Sequence, residues 1–331
     1  MLFADDVMRA GQLAAALEVS AYPKPGNVHR LSDYPHKRFE HFIAGSIAMG
    51  PALREAAVMG ASVGLGQLEA SGVGVGRLVK RAVVDVASWQ RGGNTHLGAI
   101  LLLVPLAAGA GLAFASRRGL GPQEVRRGAV EVMGASTVED AVRVYEAVAI
   151  ASPSGLGAVE GEAPDVADPC FEAKLREGGM TLLKVMEVAS KWDDVAYELS
   201  HGFEATFNVA LPALQEALER AGDLRLAIVQ SYLSLLASRP DTFIARCVGA
   251  RARPGEPIHR AVEAGMGAAE EVMRMAREAL ELGGALSRQG LRRLEEMDRE
   301  LRLRGEDYNP GSTADIVTAA LFVAILCGVR P

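Results

Sequence analysis

The 331-residue chain reads as an all-α protein, a multi-helix bundle around two central apolar helices. Three observations carry that reading. No stretch alternates apolar and polar residues between hairpin turns, and no unit recurs at a fixed period. Hydrophobic residues make up 49% of the chain but aromatics only 5%, so the core falls to Ala, Leu, Val and Met, which suit helices. Two runs, 97–115 and 316–327, carry no charge at all. A helix apolar on every side belongs at the centre of a large helical protein. The first run is also long enough to span a bilayer. Its Pro105, Gly98, Gly109, Gly111 and many alanines weigh against that use. A single domain over residues 1–331 accommodates the pattern.

Charge and cysteine usage narrow the function. A net charge of −6 offers no general basic footprint for nucleic acid. Cys170, Cys247 and Cys327 are far apart and form no CxxC pair, so neither a disulfide scaffold nor a zinc knuckle is expected. The first residues include Asp5 and Asp6 and lack a basic, cleavable leader. The expectation is a cytoplasmic protein with small-molecule partners, no nucleic acid and no membrane, alone or as a homodimer.

Taken in order, residues 5–20 form an amphipathic helix with Val7, Leu13, Ala14 and Leu17 near helical spacing. Pro23, Pro25 and Pro35 then hold residues 21–38 in a charged loop. A helical, Ala-rich pattern runs from Phe39 to Leu68. The glycines of Gly72–Arg77 lack the spacing and the preceding strand of a dinucleotide loop. A further helix leads to Trp89. Pro122 opens a helix, and Ser136 with Glu139 matches a capping box. Residues 152–169 are the longest irregular stretch, a loop or lid. Two strongly charged helices over 258–304, split near Gly283 and Gly284, form an exposed hairpin.

The candidate site centres on Gly92-Gly93-Asn94-Thr95-His96-Leu97-Gly98, set directly before the first apolar run. Asn, Thr and His offer an amide, a hydroxyl and an imidazole beside free helix-start N–H groups, a setting for an anionic or polyol ligand. Asn94 or Thr95 capping a buried helix explains the same residues. The chain has four asparagines, and Asn27, Asn94 and Asn309 fall in three Gly/Pro-punctuated polar stretches. That placement predicts that the three stretches meet around one cleft. Lys24 and Arg30 supply phosphate-binding charge in the first stretch. Asp241 and Arg246 follow Pro240 closely. Asn309, Gly311, Ser312 and Asp315 precede the second apolar run, where Ser312 to Asp315 also has capping-box form. Asp194, Glu198 and His201 fall on one helical face, so the two carboxylates could hold Mg²⁺ or simply stabilise a helix start.

Together, KPGNVHR (Lys24–Arg30), GGNTHLG (Gly92–Gly98), DTFIAR (Asp241–Arg246) and NPGSTAD (Asn309–Asp315) resemble the triphosphoribosyl-dephospho-CoA synthase family. Their order, their spacing and the apolar runs after the second and fourth motifs extend the resemblance over nearly the whole chain. It implies an all-α fold and a reaction of ATP with 3′-dephospho-CoA. Adenine leaves, and the triphosphoribosyl group joins the ribose 2′-hydroxyl. The product is a prosthetic-group precursor for citrate or malonate lyase-type acyl carrier proteins. Characterised members look like PGLVDR in the first motif, whereas this chain carries Asn27 and His29; the alternatives are a related nucleotide or phosphoribosyl transferase or hydrolase with another acceptor, or a non-enzymatic nucleotide-binding helical protein. Displacement at C1′ passes through an oxocarbenium-like state. On that chemistry Lys24, Gly26, Asn27, Arg30, Asn94, Thr95, Arg246, Asn309, Gly311 and Ser312 bind substrate. Asp315 or Asp241 stabilises the cation or acts as base, His96 protonates adenine, and Asp194 and Glu198 hold Mg²⁺.

Overall fold

The computed structural model describes residues 2–116, 119–155, 158–159 and 161–331. Among them, helices are the regular elements and there is no strand. Two isolated bridges, His29 to Ser32 and Tyr34 to Lys37, pinch the loop after the first helix.

Helix α1 spans Leu2–Ser20. The Ala-rich pattern after the loop forms two helices, α2 (Phe39–Ala48) and α3 (Gly50–Gly64). Pro51 falls in the first turn of α3, where its missing N–H costs nothing, and the chain is re-aimed at Met49. Gly74, in the left-handed region at φ +68°, starts α4 (Val75–Trp89). The glycine-rich run therefore serves helix packing. A Cβ at Gly76 would lie 2.1 Å from the Asp140 carbonyl oxygen. The first apolar run is α5 (Leu97–Ala115), followed by α6 (Pro122–Gly134) and α7 (Val138–Ala151). The α7 capping box is Thr137 with Asp140, one residue later than the Ser136–Glu139 pair that the sequence suggests. Asp140 is chosen because its other oxygen caps α4, accepting from Gly76 N at 2.9 Å.

After the irregular stretch come the short helices α8 (Phe171–Glu177), α9 (Leu182–Ala189) and α10 (Asp194–Ser200). A π-helical turn, Thr206–Ala210, runs into α11 (Leu211–Ala221). Helices α12 (Leu224–Ser238) and α13 (Thr242–Ala252) lead to the charged hairpin α14 (Ile258–Glu281) and α15 (Arg288–Arg304), with a 3₁₀ turn at Gly284–Leu286. The second apolar run, α16 (Gly311–Leu326), closes the fold.

Both apolar helices sit inside. The most apolar 18-residue window of α5 is 89% buried within the protein. Close approach makes that burial possible. A Cβ at Gly60 of α3 would meet the Ala108 carbonyl oxygen at 1.9 Å, and one at Gly111 would meet the Ala57 oxygen at 2.0 Å. Gly109 and Gly128 bring α6 equally near on another side. The α5 glycines thus trade helix propensity for backbone-to-backbone packing. Helix α16 packs against α1, α5 and α12, with Phe322 fully buried.

Gly111→Ala should therefore force α3 and α5 apart and lower stability by about 3 kcal/mol or more in urea unfolding. Gly267→Ala in α14, where nothing lies within 4 Å of the new Cβ, should instead stabilise by about 0.5–1 kcal/mol.

Candidate active site

The N-terminal ends of α5, α13 and α16 converge on one cavity of about 710 Å³. Buried carboxylates tie these ends together. Asp241 caps two helices: one oxygen accepts from Phe243 N and Ile244 N of α13, at 2.9 and 3.2 Å. The other accepts from Thr313 N and Thr313 Oγ1 of α16, at 2.8 and 2.7 Å. Burial, and next the neighbouring Asp194 carboxylate, push Asp241 up to about 6. Asp194 in turn accepts from Thr242 N and Oγ1, both at 2.9 Å, and pairs with Arg239 at 2.7 Å.

Asp315 ties the third helix start, that of α5, to α16. Its Oδ1 accepts from Ala99 N of α5 at 2.9 Å, so it caps a helix other than its own. The Ser312–Asp315 capping box does not form, because α16 already begins at Gly311 after Pro310. The second oxygen, Oδ2, accepts no hydrogen bond among the described residues, and it lies over Gly98, where a Cβ would come within 2.0 Å. The side chain lines the cavity. Burial, then the nearby Glu18 charge, hold this carboxyl well above the usual carboxylate range, which favours its protonated form.

Asn27, Asn94 and Asn309 all line the cavity, as do Thr95, His96, Arg246, Gly311 and Ser312. Asn94 Oδ1 accepts from Leu97 N at 3.1 Å, which caps α5 and leaves its amide NH₂ free of that bond. Asn27 Nδ2 donates to the Pro310 carbonyl at 3.3 Å and joins the first and last motifs. Asn309 Oδ1 is buried without a partner, an unsatisfied acceptor that a ligand donor would complete. Arg246 lies over the Phe243 ring and donates from Nη1 to Asp193 Oδ2 at 2.6 Å, while its buried Nε has no partner. The other end of the cavity is apolar, walled by Val144, Val148, Val185, Met186 and Trp192.

Several expected residues lie elsewhere. Lys24 is fully buried behind the wall, with Nζ on Glu18 at 2.5 Å, and so is no phosphate ligand. Arg30 donates from Nε to the Ser20 carbonyl, lies over the Tyr22 ring and does not line the cavity. Gly26, at φ +73°, serves its loop, donating to Asp298 and accepting from Tyr34. Asp241 is spent on helix starts and is absent from the cavity wall, so it is no catalytic carboxylate. Asp194 and Glu198 are not a magnesium site either. Both oxygens of Glu198 are taken by Ala205 N, Thr206 N and Thr206 Oγ1 at 2.5–2.8 Å, and neither residue reaches the cavity. His201 is exposed and stacks on Tyr197. Among the described residues, no cluster of three His, Cys, Asp or Glu could hold a metal ion.

His96 reaches the cavity but is not an acid. Its Nδ1 shares a hydrogen bond with Thr95 Oγ1 at 2.8 Å, and burial pushes the imidazole down to about 3, so it is neutral. Cavity residues that the motifs did not reveal are Glu18, Lys37, Asp193 and Arg253. Glu18 had a signal: Ala10, Ala14 and Glu18 repeat every fourth residue, which places a lone carboxylate on the buried stripe of α1.

Because the folded His96 value lies below the ordinary 6.5, the unfolded chain binds the extra proton, and stability falls as pH drops below about 6.5. His96→Gln should therefore lose about 2 kcal/mol less than the wild type between roughly pH 7 and pH 5 in urea unfolding. Equal losses would show a ring that is hydrated in the folded state.

Residues 4–330 match the family of ATP:dephospho-CoA triphosphoribosyl transferases (CitG). A 2-(5''-triphosphoribosyl)-3'-dephosphocoenzyme-A synthase of Klebsiella pneumoniae is 25% identical over 328 residues, covering 98% of this chain and 91% of the relative. A relative from Pseudomonas fluorescens, named for the same activity, is 27% identical over 311 residues, covering 92% and 86%. The fold is shared with a solved Archaeoglobus fulgidus structure titled for a triphosphoribosyl-dephospho-coA synthase, at a TM-score of 0.59 and 21% identity over 87% of this chain and all of that one. With its profile matched almost from end to end, the chain belongs to the ATP:dephospho-CoA triphosphoribosyl transferase family.

Proposed function

We propose that the protein transfers the triphosphoribosyl group of ATP to the 2′-hydroxyl of 3′-dephospho-CoA and releases adenine. The observation that carries the reading is Asp315, a carboxyl with a free oxygen, held above the usual carboxylate range where the starts of α5 and α16 meet in the cavity. The triphosphate faces the positive ends of α5, α13 and α16, with Arg246, Lys37 and Arg253 supplying charge from the wall. Asn309 Oδ1 and the Asn94 amide fix ribose hydroxyls or the base edge. The apolar end takes the pantetheine arm of the acceptor. Magnesium would be held mainly by the triphosphate's own oxygens and would neutralise part of its charge.

As the C1′–N9 bond breaks, its electron pair passes to adenine, and Asp315 supplies the proton that makes adenine a neutral leaving group. The carboxylate left behind offsets the positive charge growing on the ribose. His96, neutral and held by Thr95, shapes the wall beside this event.

Chromatography of adenine released from ATP with and without 3′-dephospho-CoA tests the reaction. Release without acceptor would mark a hydrolase. The first motif favours keeping other acceptors in the assay: His29 Nε2 lies 3.3 Å from Asp298 Oδ2, at the position where PGLVDR would place an aspartate.

Asp315→Asn keeps the acceptor for Ala99 N but has no proton to give. We expect kcat to fall at least about 10²-fold with ATP affinity nearly unchanged. In the wild type, activity should fall as pH rises through the raised Asp315 value, because the acid is then ionised. That alkaline limb should be absent from the variant.

A further inference from the structure

Glu18 lines the same cavity as Asp315 and takes no part in the departure of adenine. It lies in the last turn of α1 and is 5% exposed. One oxygen accepts from Lys24 Nζ at 2.5 Å, and the other accepts no hydrogen bond among the described residues. Lys24 is itself wholly buried, with Asn27 Oδ1 at 3.5 Å and the Tyr232 ring beneath its ammonium at 5.9 Å. The first motif thus builds a rigid support for one carboxylate. Glu18 is also the charged group that acts most strongly on Asp315, and both carboxyl groups line the one cavity. Two carboxyls that line one substrate space, one anchored by a lysine and one without a cation, suit an exchange at an anomeric carbon.

We propose that Glu18 is the general base that takes the proton from the acceptor hydroxyl, with Lys24 as its positioning residue. The inference rests on the transferase reading. The O–H bond of the acceptor breaks and its proton goes to the free oxygen of Glu18. The oxygen's electron pair forms the bond to C1′, while the C1′–N9 pair leaves on adenine with the proton from Asp315. One proton is gained by Glu18 and one is lost by Asp315. Exchange with solvent restores both as products leave. Burial moves Glu18 above its ordinary value, which strengthens it as a base.

Two variants test this. Glu18→Gln removes the base, and the double variant Glu18→Leu with Lys24→Met replaces the buried pair by apolar groups, a change that folded proteins tolerate well. Both should keep the KM for ATP within about threefold while adenine release falls at least about 10²-fold. Calorimetric binding of 3′-dephospho-CoA and of its 2′-deoxy analogue gives a readout without turnover. The wild type should prefer the hydroxyl form about tenfold, as expected for a hydrogen bond to a charged acceptor, and the double variant should lose the preference. A folded double variant with turnover within about threefold of wild type, or with ATP binding lost in step with turnover, overturns the proposal. Wild type that discriminates through Glu18 yet releases no adenine leaves the contact standing and sinks the transferase reading and the base role with it. Wild type that binds neither acceptor overturns both.

Discussion

The site depends on one hydrogen bond, from Ala99 N to Asp315 Oδ1. It joins the first turn of α5 to α16, the two helices that carry the apolar core, and it can form only because Gly98 has no side chain under the carboxylate. Each partner satisfies a need of the other. The start of α5 has orphan N–H groups in a dry setting, and Asp315 has been moved away from water. The raised proton affinity of the carboxyl, its place in the cavity and the meeting of α5 with α16 are therefore one fact seen from three sides.

Asp241 repeats the device on another pair of helices, with a different result. Both of its oxygens are used by the starts of α13 and α16, so it holds the frame and touches no ligand. Two aspartates that both accept from helix-start N–H groups thus divide into a brace and a chemical group according to whether one oxygen is left over. Neither Asp241-Thr242 nor Ala314-Asp315 reveals its role locally, and the distinction lies wholly in tertiary structure.

That contrast also shows how far the sequence could be read. The all-α class, the two buried apolar helices and the meeting of Asn27, Asn94 and Asn309 followed from local pattern, because helix period and Gly/Pro punctuation are local properties. The roles of charged residues did not. Lys24 and Arg30 look equivalent in a basic loop, yet one is sealed under the site and the other lies outside it. Asp194 and Glu198 share a helical face, but their partners, Thr242, Arg239 and Thr206, come from other segments. Glu18 was missed for the converse reason: its partner Lys24 is near in sequence, but the cavity that gives the pair meaning is assembled from helices far along the chain.

The two ends of the cavity are built to different standards of rigidity. The polar end rests on helix starts locked by buried carboxylates, where a shift of one group disturbs several others. The apolar end is walled by Val148 of α7 and by Val185 and Met186 of the short helix α9, side chains without hydrogen-bonding duties. Changes there alter volume and leave the reacting groups in place. Such a division lets a lineage exchange the tail of its acceptor while the chemistry at the ribose is inherited intact, and it marks the apolar wall as the place to diversify when a new acceptor is sought by directed evolution.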